Sequence, residues 1–312
     1  MYLEFFNLNE YPFATDCQEQ FYFESKTHAE AFASMLYSIE QKKGMVLLTG
    51  EIGSGKTLLG RMVPLRLGST AIVARITHPL DSAKQLLRAL AEGLGAQATQ
   101  DDDKQVLVSS LVRRLERLRL RSKLAVLLLD EVQSLPDEAL EEARLMWNWE
   151  WKGQRLLQIV LSGQVEFRSR LQEPRWESLQ QRISLSCHLE RLSVEDMSRY
   201  ILHRRNVAAK PDGSPLRFTL RALASIYAAT QGIPRRINSL CDNALLVSYN
   251  KGTHEITDSI VGEVLREMTC WSSTEGQVAS QEAPTSGNET DTPPAPPLKP
   301  PLKIWPLGPA AG

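Results

Sequence analysis

The feature that most constrains this chain is the segment GEIGSGKT at residues 50–57. It matches the pattern GxxxxGK[ST], follows the apolar run 44–50 and precedes a helical pattern over 56–66, and that pattern forms a phosphate-binding loop only in such a context. Glycines let the backbone N–H groups reach phosphate oxygens, and the start of a helix favours an anion. We therefore expect nucleotide phosphates to be bound by Gly50, Glu51, Ile52, Gly53, Ser54, Gly55, Lys56, Thr57 and Leu58.

A second segment, LAVLLLDE at 124–131, predicts a buried strand that ends in two carboxylates. Parallel strands place their carboxyl ends at one edge of a sheet, so Asp130 is expected beside the phosphate loop. Asp130 and the Thr57 hydroxyl would then hold Mg²⁺, while Lys56 reaches the β- and γ-phosphates. Glu131 would activate the attacking water as a general base. The two segments together predict an ATPase that uses ATP and Mg²⁺.

The periodicity of the rest of the chain predicts an α/β fold. Five apolar runs, at 44–50, 70–76, 124–130, 155–163 and 183–189, alternate with helical patterns, which indicates a parallel sheet covered by helices on both faces. Beyond residue 191 only helical patterns follow. The predicted organisation is a nucleotide-binding domain at 1–190, an all-helical lid domain at 191–272 and a disordered proline-rich tail at 273–312.

Composition excludes several classes of protein. Lys and Arg total 36 against 37 Asp and Glu, so bulk charge cannot hold the chain on nucleic acid. The four cysteines are scattered, which predicts neither a disulfide framework nor a zinc site and indicates a reducing compartment. No apolar run is long enough to span a bilayer, and no signal peptide is evident. We expect a cytoplasmic protein with no membrane span of its own.

Several further segments resemble AAA+ ATPases, and more narrowly the ExeA/GspA type of secretion ATPase. The resemblance covers roughly residues 1–270 and rests on motifs in the family's order. They are MYLEFFNLNEYPF (1–13), HAEAFASMLYSI (28–39), GEIGSGKT, LLLDEVQSL (127–135), LLQIVLSGQVEFRSRL (156–171), LQQRISL (179–185) and GIPRRINSLCDNALL (232–246). Relatives in pilus biogenesis and in transposon target selection share the same block. The resemblance implies a P-loop fold of the AAA+ kind.

The resemblance also implies roles for residues outside the two phosphate-site segments. Ser162 matches the polar residue that senses the γ-phosphate, with Gln164 as the alternative. Arg182 matches an arginine finger that reaches a neighbouring subunit's nucleotide, with Arg175 and Arg191 as competitors. Arg235 matches the second sensor arginine, with Arg236 as the alternative. Segment 1–43, including Tyr11–Phe13 and His28, would border the adenine mainly through packing.

The implied partners are further copies of the chain, assembled in a nucleotide-dependent way, and an inner-membrane protein of a secretion or pilus system. The longer relatives continue into a membrane span and a cell-wall-binding part, so peripheral attachment of this chain to the inner membrane is expected to run through that partner. The alternative is a DNA-binding target selector. It is favoured by the basic pattern 105–121, although a solvated helix face explains the same arginines.

Two other segments stand out. The run WNWEW at 147–151 suits either a subunit interface or core packing. The tail contains nine prolines between 284 and 309, which predicts a solvated polyproline-like segment. Trp305 would be its anchor if the tail docks in an aromatic-lined groove.

Overall fold

The computed structural model describes residues 2–16, 18–99 and 101–278, with side chains up to residue 268. Most of the predicted tail, including Trp305, lies outside these residues. The strands are β1 (Met45–Gly50), β2 (Ala71–Ile76), β3 (Leu124–Leu129), β4 (Glu150–Trp151), β5 (Gln154–Arg155), β6 (Gln158–Gly163), β7 (Ile183–Leu189), β8 (Arg217–Phe218) and β9 (Glu255–Ile256).

The helices begin at capping residues that the sequence supplies. Ser25, Ser82, Asp103, Ser193 and Thr219 each accept a hydrogen bond from a backbone N–H of the first turn. The helices are α1 (Tyr2–Phe5), α2 (Lys26–Glu40), α3 (Lys56–Leu67), α4 (Ala83–Leu94), α5 (Lys104–Leu120), α6 (Asp137–Met146), α7 (Glu166–Leu171), α8 (Glu177–Gln180), α9 (Val194–Ala208), α10 (Leu220–Thr230), α11 (Pro234–Asn250) and α12 (Asp258–Val278).

The central sheet has five parallel strands in the order β2-β3-β6-β1-β7. Its inner strands β1 and β6 are buried at every position, as the apolar runs predict. β3 and β1 both flank β6, so their carboxyl ends meet at one edge. The register pairs Leu48 with Ser162 and Leu128 with Val160. This order brings Gly50, Asp130 and Ser162 to the same edge of the sheet.

Helices cover both faces of the sheet, and the predicted α/β architecture is therefore confirmed. One face packs against leucines of α4 and α5, such as Leu87 and Leu111, together with side chains of α6 and α7. The other face packs against α2 and α3 through Met35, Leu59 and Val63. Both cores consist largely of fully buried aliphatic side chains, so the sheet is a rigid platform for its edge loops.

A third core joins helices α9 to α12, the segment predicted to be a lid, to the start of the chain. Tyr2, Phe6, Leu8, Phe13 and Phe21 are buried in it with side chains of the lid. Asn9 donates its backbone N–H to the carbonyl oxygen of Ala208, the last residue of α9. The opening segment is thus packed on the lid rather than on the sheet. Residues up to Met268 form one compact unit.

The structure adds short strands that the sequence pattern does not predict. β4 and β5 pair in a hairpin that begins at the end of the tryptophan-rich run, and β8 and β9 pair in parallel inside the otherwise helical segment 191–272. Each has only two residues, which is too short for a period-2 pattern to be visible. Helix α12 continues to Val278, past residue 273. No helix in the described ranges is both long and apolar enough to cross a bilayer.

Gly232, between α10 and α11, lies against the segment that joins β7 to α9 and leaves no room for a side chain. Gly232 has φ of 74° and its carbonyl accepts from Leu192 N, while a Cβ at Gly232 would overlap the Leu192 carbonyl oxygen. We expect Gly232→Ala to lower the free energy of unfolding by more than about 4 kcal/mol. Gly213→Ala is the matched control, since Gly213 has φ of 83° in open space, and it should cost only about 1–2 kcal/mol. Equal losses in urea titrations would contradict the clash.

Candidate nucleotide-binding site

The loop between β1 and α3 wraps around the ammonium of Lys56. Gly53 and Gly55 have φ of 82° and 104°, in the region that favours glycine. Lys56 is 5% exposed, and its Nζ donates to the carbonyl oxygens of Gly50 and Glu51 at 2.9 Å each. Burial lowers the pKa of Lys56, while nearby carboxylates, including that of Glu131, act in the opposite direction. A buried cation at a helix N-terminus forms a site for anionic oxygens.

The carboxylate of Asp130 connects three elements at this edge. Its Oδ2 accepts from the Thr57 hydroxyl at 2.8 Å, and its Oδ1 accepts from the Ser162 hydroxyl at 2.7 Å. Asp130 is 7% exposed and Ser162 is 2% exposed. The start of α3 and the ends of β3 and β6 therefore converge on one carboxylate. Its oxygens and the Thr57 hydroxyl are hard ligands of the kind that Mg²⁺ prefers.

Glu131 is held by two glutamines. Its backbone has φ of 52°, and its Oε2 accepts from Gln133 Nε2 at 2.5 Å and from Gln164 Nε2 at 3.2 Å. The Gln133 Oε1 accepts from the backbone N–H of Gln164 at 3.0 Å, so the Gln133 side chain is itself fixed by the residue that follows β6. Sequence reasoning missed Gln133. Its position two residues after Glu131 was the available signal, but the partner Gln164 comes from a different strand end.

The lid contributes the opposite wall of the site through the start of α11. The backbone N–H of Arg235 donates to the carbonyl oxygen of Gly53 at 3.2 Å. A Cβ added to Gly53 would lie 2.5 Å from the Arg235 Cβ, so the two backbones are in close contact. Both residues line a cleft of about 300 Å³ together with Lys56, Thr57 and Glu131. Ile52 and Leu58 also line this cleft, and Ser54 lines a smaller one beside it. Arg236 is exposed and does not line it.

One of the three candidate finger arginines contacts its own phosphate loop. Arg191 Nε and Nη2 donate to the Glu51 carboxylate at 2.6 and 3.0 Å, and this pairing lowers the pKa of Glu51. Bidentate pairing fixes a guanidinium strongly. Arg191 therefore acts within its own subunit in this conformation.

The other two candidates lie elsewhere. Arg175 is exposed and pairs with Glu173 and Asp137. Arg182 precedes β7, at the amino edge of the sheet and away from its own phosphate loop. Its guanidinium lies 5.2 Å from the Trp147 ring centre, Nη1 donates to the Ser178 carbonyl, and the buried Nε has no hydrogen-bond partner. Arg155 lies 3.0 Å from the centre of the same ring. Trp147 is thus a support for two arginines rather than a free surface residue.

The opening segment reaches the site through His28 and through a buried arginine that the sequence did not single out. Arg204 of α9 is 5% exposed and donates to the carbonyls of Pro12 and Ala14. Its Nη1 donates to the Tyr200 hydroxyl at 2.9 Å. Arg204 lines the cleft together with Phe21. Arg204 therefore ties the chain start to the lid at the expected adenine side.

His28 connects α2 to the phosphate loop. Its Nε2 lies 2.8 Å from the Ser54 carbonyl oxygen and its Nδ1 lies 2.7 Å from the Ser25 hydroxyl. A carbonyl only accepts, so Nε2 must carry the proton. Burial lowers the pKa of His28 from its ordinary value of 6.5, and the neutral ring fits this arrangement.

We expect the pKa shift of His28 to appear as a pH dependence of stability. The unfolded chain binds this proton more readily than the folded chain. The contribution of neutral His28 to the free energy of unfolding should therefore be complete above about pH 6.5, and the free energy of unfolding should fall as the pH drops below that value. Replacing His28 by Asn should reduce this slope in urea titrations between pH 8 and pH 5, with the measurement at pH 8 as the reference. An unchanged slope would contradict the role given to His28.

Comparisons with known proteins agree with this geometry. Residues 39–171 match the family described as "AAA domain". The chain is 35% identical over 256 residues to General secretion pathway protein A of Aeromonas hydrophila, covering 82% of this chain and 46% of that protein. The chain therefore spans about half the length of this curated relative.

Solved structures share the fold at low sequence identity. The ORC2 protein of Aeropyrum pernix, in ADPNP-ADP complexes, has a TM-score of 0.60 at 14% identity, over 83% of this chain and 72% of that chain. The ORC1 protein of the same organism, in complex with DNA, has a TM-score of 0.59 at 18% identity, over 83% and 69%. These structural similarities show the fold. The 35% sequence identity shows a narrower similarity, to General secretion pathway protein A.

Proposed function

We propose that this chain, which belongs to the AAA+ family and is of the General secretion pathway protein A type, binds ATP with Mg²⁺ and hydrolyses ATP to ADP and phosphate. The observation that carries this proposal is the 2.8 Å hydrogen bond from Thr57 to Asp130, which joins the phosphate loop to the acidic strand end. Family membership supports nucleotide binding and ATPase activity in general. The roles of individual residues are our inference from the contacts around this bond.

Each residue at the cleft has a task that its contacts suit. The loop N–H groups and Lys56 would bind the triphosphate, and Arg235 would approach it from the lid. The Thr57 hydroxyl and Asp130 would hold Mg²⁺, which when bound supplies charge neutralisation at the phosphates. No three His, Cys, Asp or Glu side chains in the described ranges form a metal cluster, and this pair suits an ion that keeps waters and phosphate oxygens as its other ligands.

The reaction itself would need a base and compensation of negative charge. Glu131 would accept the proton of the attacking water, with Gln133 and Gln164 fixing the direction of its carboxylate. Ser162 would report the phosphate state through Asp130. Arg182 would supply positive charge to the nucleotide of a neighbouring subunit, because its position at the amino edge of the sheet keeps it from its own cleft. The proposal therefore includes a nucleotide-dependent homo-oligomer.

We further propose that hydrolysis drives rearrangement of this oligomer in a secretion or pilus assembly system, with recruitment by an inner-membrane partner. The support is the sequence identity to General secretion pathway protein A and that protein's name. The competing function is a DNA-bound regulator. It is favoured by the arginines of α5, and one of the fold's structural neighbours was solved in complex with DNA.

Two measurements on the purified full chain test the proposal. Phosphate release should require both ATP and Mg²⁺ and should stop when the metal is chelated. Mass photometry should show larger assemblies with ATP than without it. Absence of phosphate release in the assembled state would overturn the ATPase assignment. Tight, salt-sensitive DNA binding that ATP strengthens would favour the regulator over the secretion role.

A further inference from the structure

Three turns meet at the amino edge of the sheet, on the side opposite the nucleotide cleft. The first turn precedes β1, the second precedes β3, and the third joins β4 to β5 just ahead of β6. β3, β6 and β1 are neighbours in the central sheet. Each turn has a residue in the left-handed region: Lys42, Ser122 and Lys152 have φ of 55°, 56° and 51°. The turns share one cleft of about 540 Å³, also lined by Arg119, Leu120, Leu124, Trp151 and Gln154. We call residues 40–44, 119–124 and 150–155 the amino-edge face.

The amino-edge face has an excess of positive charge. Its three segments contain seven Lys and Arg against two Glu, although the whole chain is nearly neutral. Within the part of the chain whose side chains are described, Lys42, Arg119 and Lys152 have no carboxylate oxygen within 4.0 Å. Burial and the Arg119 guanidinium lower the pKa of Lys42. An anion in this cleft would relieve that repulsion.

Two apolar side chains belong to the same face, an exposed leucine and a tryptophan that packs partly against the sheet core. Leu120 is 68% exposed and stands between Arg119 and Arg121 at the end of α5. Trp151 is half-buried, with the Lys152 ammonium 4.5 Å from its ring centre. An exposed leucine and an indole among flexible cations form the arrangement that binds the boundary between lipid headgroups and acyl chains. A nucleic acid would satisfy the cations but would leave Leu120 in water.

We propose that the amino-edge face docks on the surface of an anionic bilayer. Phosphate-bearing headgroups occupy the cleft between Lys42, Arg119 and Lys152, and Leu120 enters the headgroup boundary. Cations and apolar insertion together provide the two signals that stable surface binding needs. The nucleotide cleft at the carboxyl edge stays accessible in this orientation. The chain then contacts the membrane directly, in addition to any protein partner.

Co-sedimentation of the full chain with vesicles tests this proposal. Wild type should bind vesicles of phosphatidylcholine mixed with phosphatidylglycerol, and should not bind phosphatidylcholine alone. Lys42→Glu/Lys152→Glu should weaken binding at least about tenfold. Leu120→Ser, which keeps the charge, should weaken it about tenfold as well. The matched control Arg221→Glu/Arg266→Glu makes the same charge change on the lid and should bind as wild type does.

The variants separate the bilayer from other polyanions. Phosphate release and circular dichroism should be unchanged in all of them, which excludes misfolding. Absence of binding to anionic vesicles would overturn the proposal, as would equal binding by wild type and Lys42→Glu/Lys152→Glu. Loss of binding to a DNA duplex in the lysine variant, with Leu120→Ser unaffected on both DNA and vesicles, would identify nucleic acid as the partner instead.

Discussion

Glu131→Gln is expected to lower the turnover of ATP by about 10²- to 10⁴-fold while ATP binding is retained. An amide cannot accept the proton of the attacking water, but it can still receive the hydrogen bonds that Gln133 and Gln164 donate to this position. Phosphate release measures the loss, and titration calorimetry measures the binding. Glu138→Gln is the matched control, because Glu138 is an exposed carboxylate in the first turn of α6, and it should turn over ATP as wild type does. Comparable turnover in Glu131→Gln would exclude Glu131 as the base.

Arg182→Ala is expected to lower turnover by at least about 10³-fold without weakening ATP binding. The physical reason is that its guanidinium would stabilise charge in the transition state of the next subunit rather than bind the ground state of its own. Phosphate release at saturating ATP gives the turnover, and calorimetry gives the affinity. Arg175→Ala and Arg191→Ala test the two competing residues. A wild-type rate in Arg182→Ala would remove it from the reaction.

Mixing variants distinguishes a finger from a merely structural arginine. A subunit with Arg182→Ala keeps Glu131, and a subunit with Glu131→Gln keeps Arg182. Where the second subunit faces the nucleotide of the first, a complete site forms again. We expect phosphate release by the mixture to exceed the sum of the two variants measured alone. No gain in a mixture that forms mixed assemblies would contradict action between subunits.

The sheet and the phosphate loop could be predicted because their determinants are local. Each of the five apolar runs is long enough to show its burial, and GEIGSGKT specifies a loop by its own residues. Asp130 was predicted beside Thr57 because strand ends of a parallel sheet share an edge. The family resemblance added Ser162 to the predicted site residues, and in the structure the Ser162 hydroxyl donates a hydrogen bond to Asp130.

The remaining contacts depend on which strands are neighbours, and the sequence does not state the strand order. Gln133 meets Gln164 only because β6 lies beside β3. Arg191 pairs with Glu51 only because β7 lies beside β1. Arg204 contacts Pro12, which is 192 residues away in the sequence, so no local sequence pattern indicates this contact. The hairpin of β4 and β5 has two residues in each strand, too few for a period-2 pattern to predict it.

Titration of Glu131→Gln with ATP, in Mg²⁺ and again in chelator, tests the central claim most directly, since hydrolysis no longer obscures binding. We predict one ATP bound per chain in Mg²⁺, clearly weaker binding in chelator, and a loss of at least about 100-fold in affinity when Lys56 is also replaced by Ala. Binding that ignores both Mg²⁺ and Lys56 would show that the phosphate loop and the Asp130 strand end are not the nucleotide site.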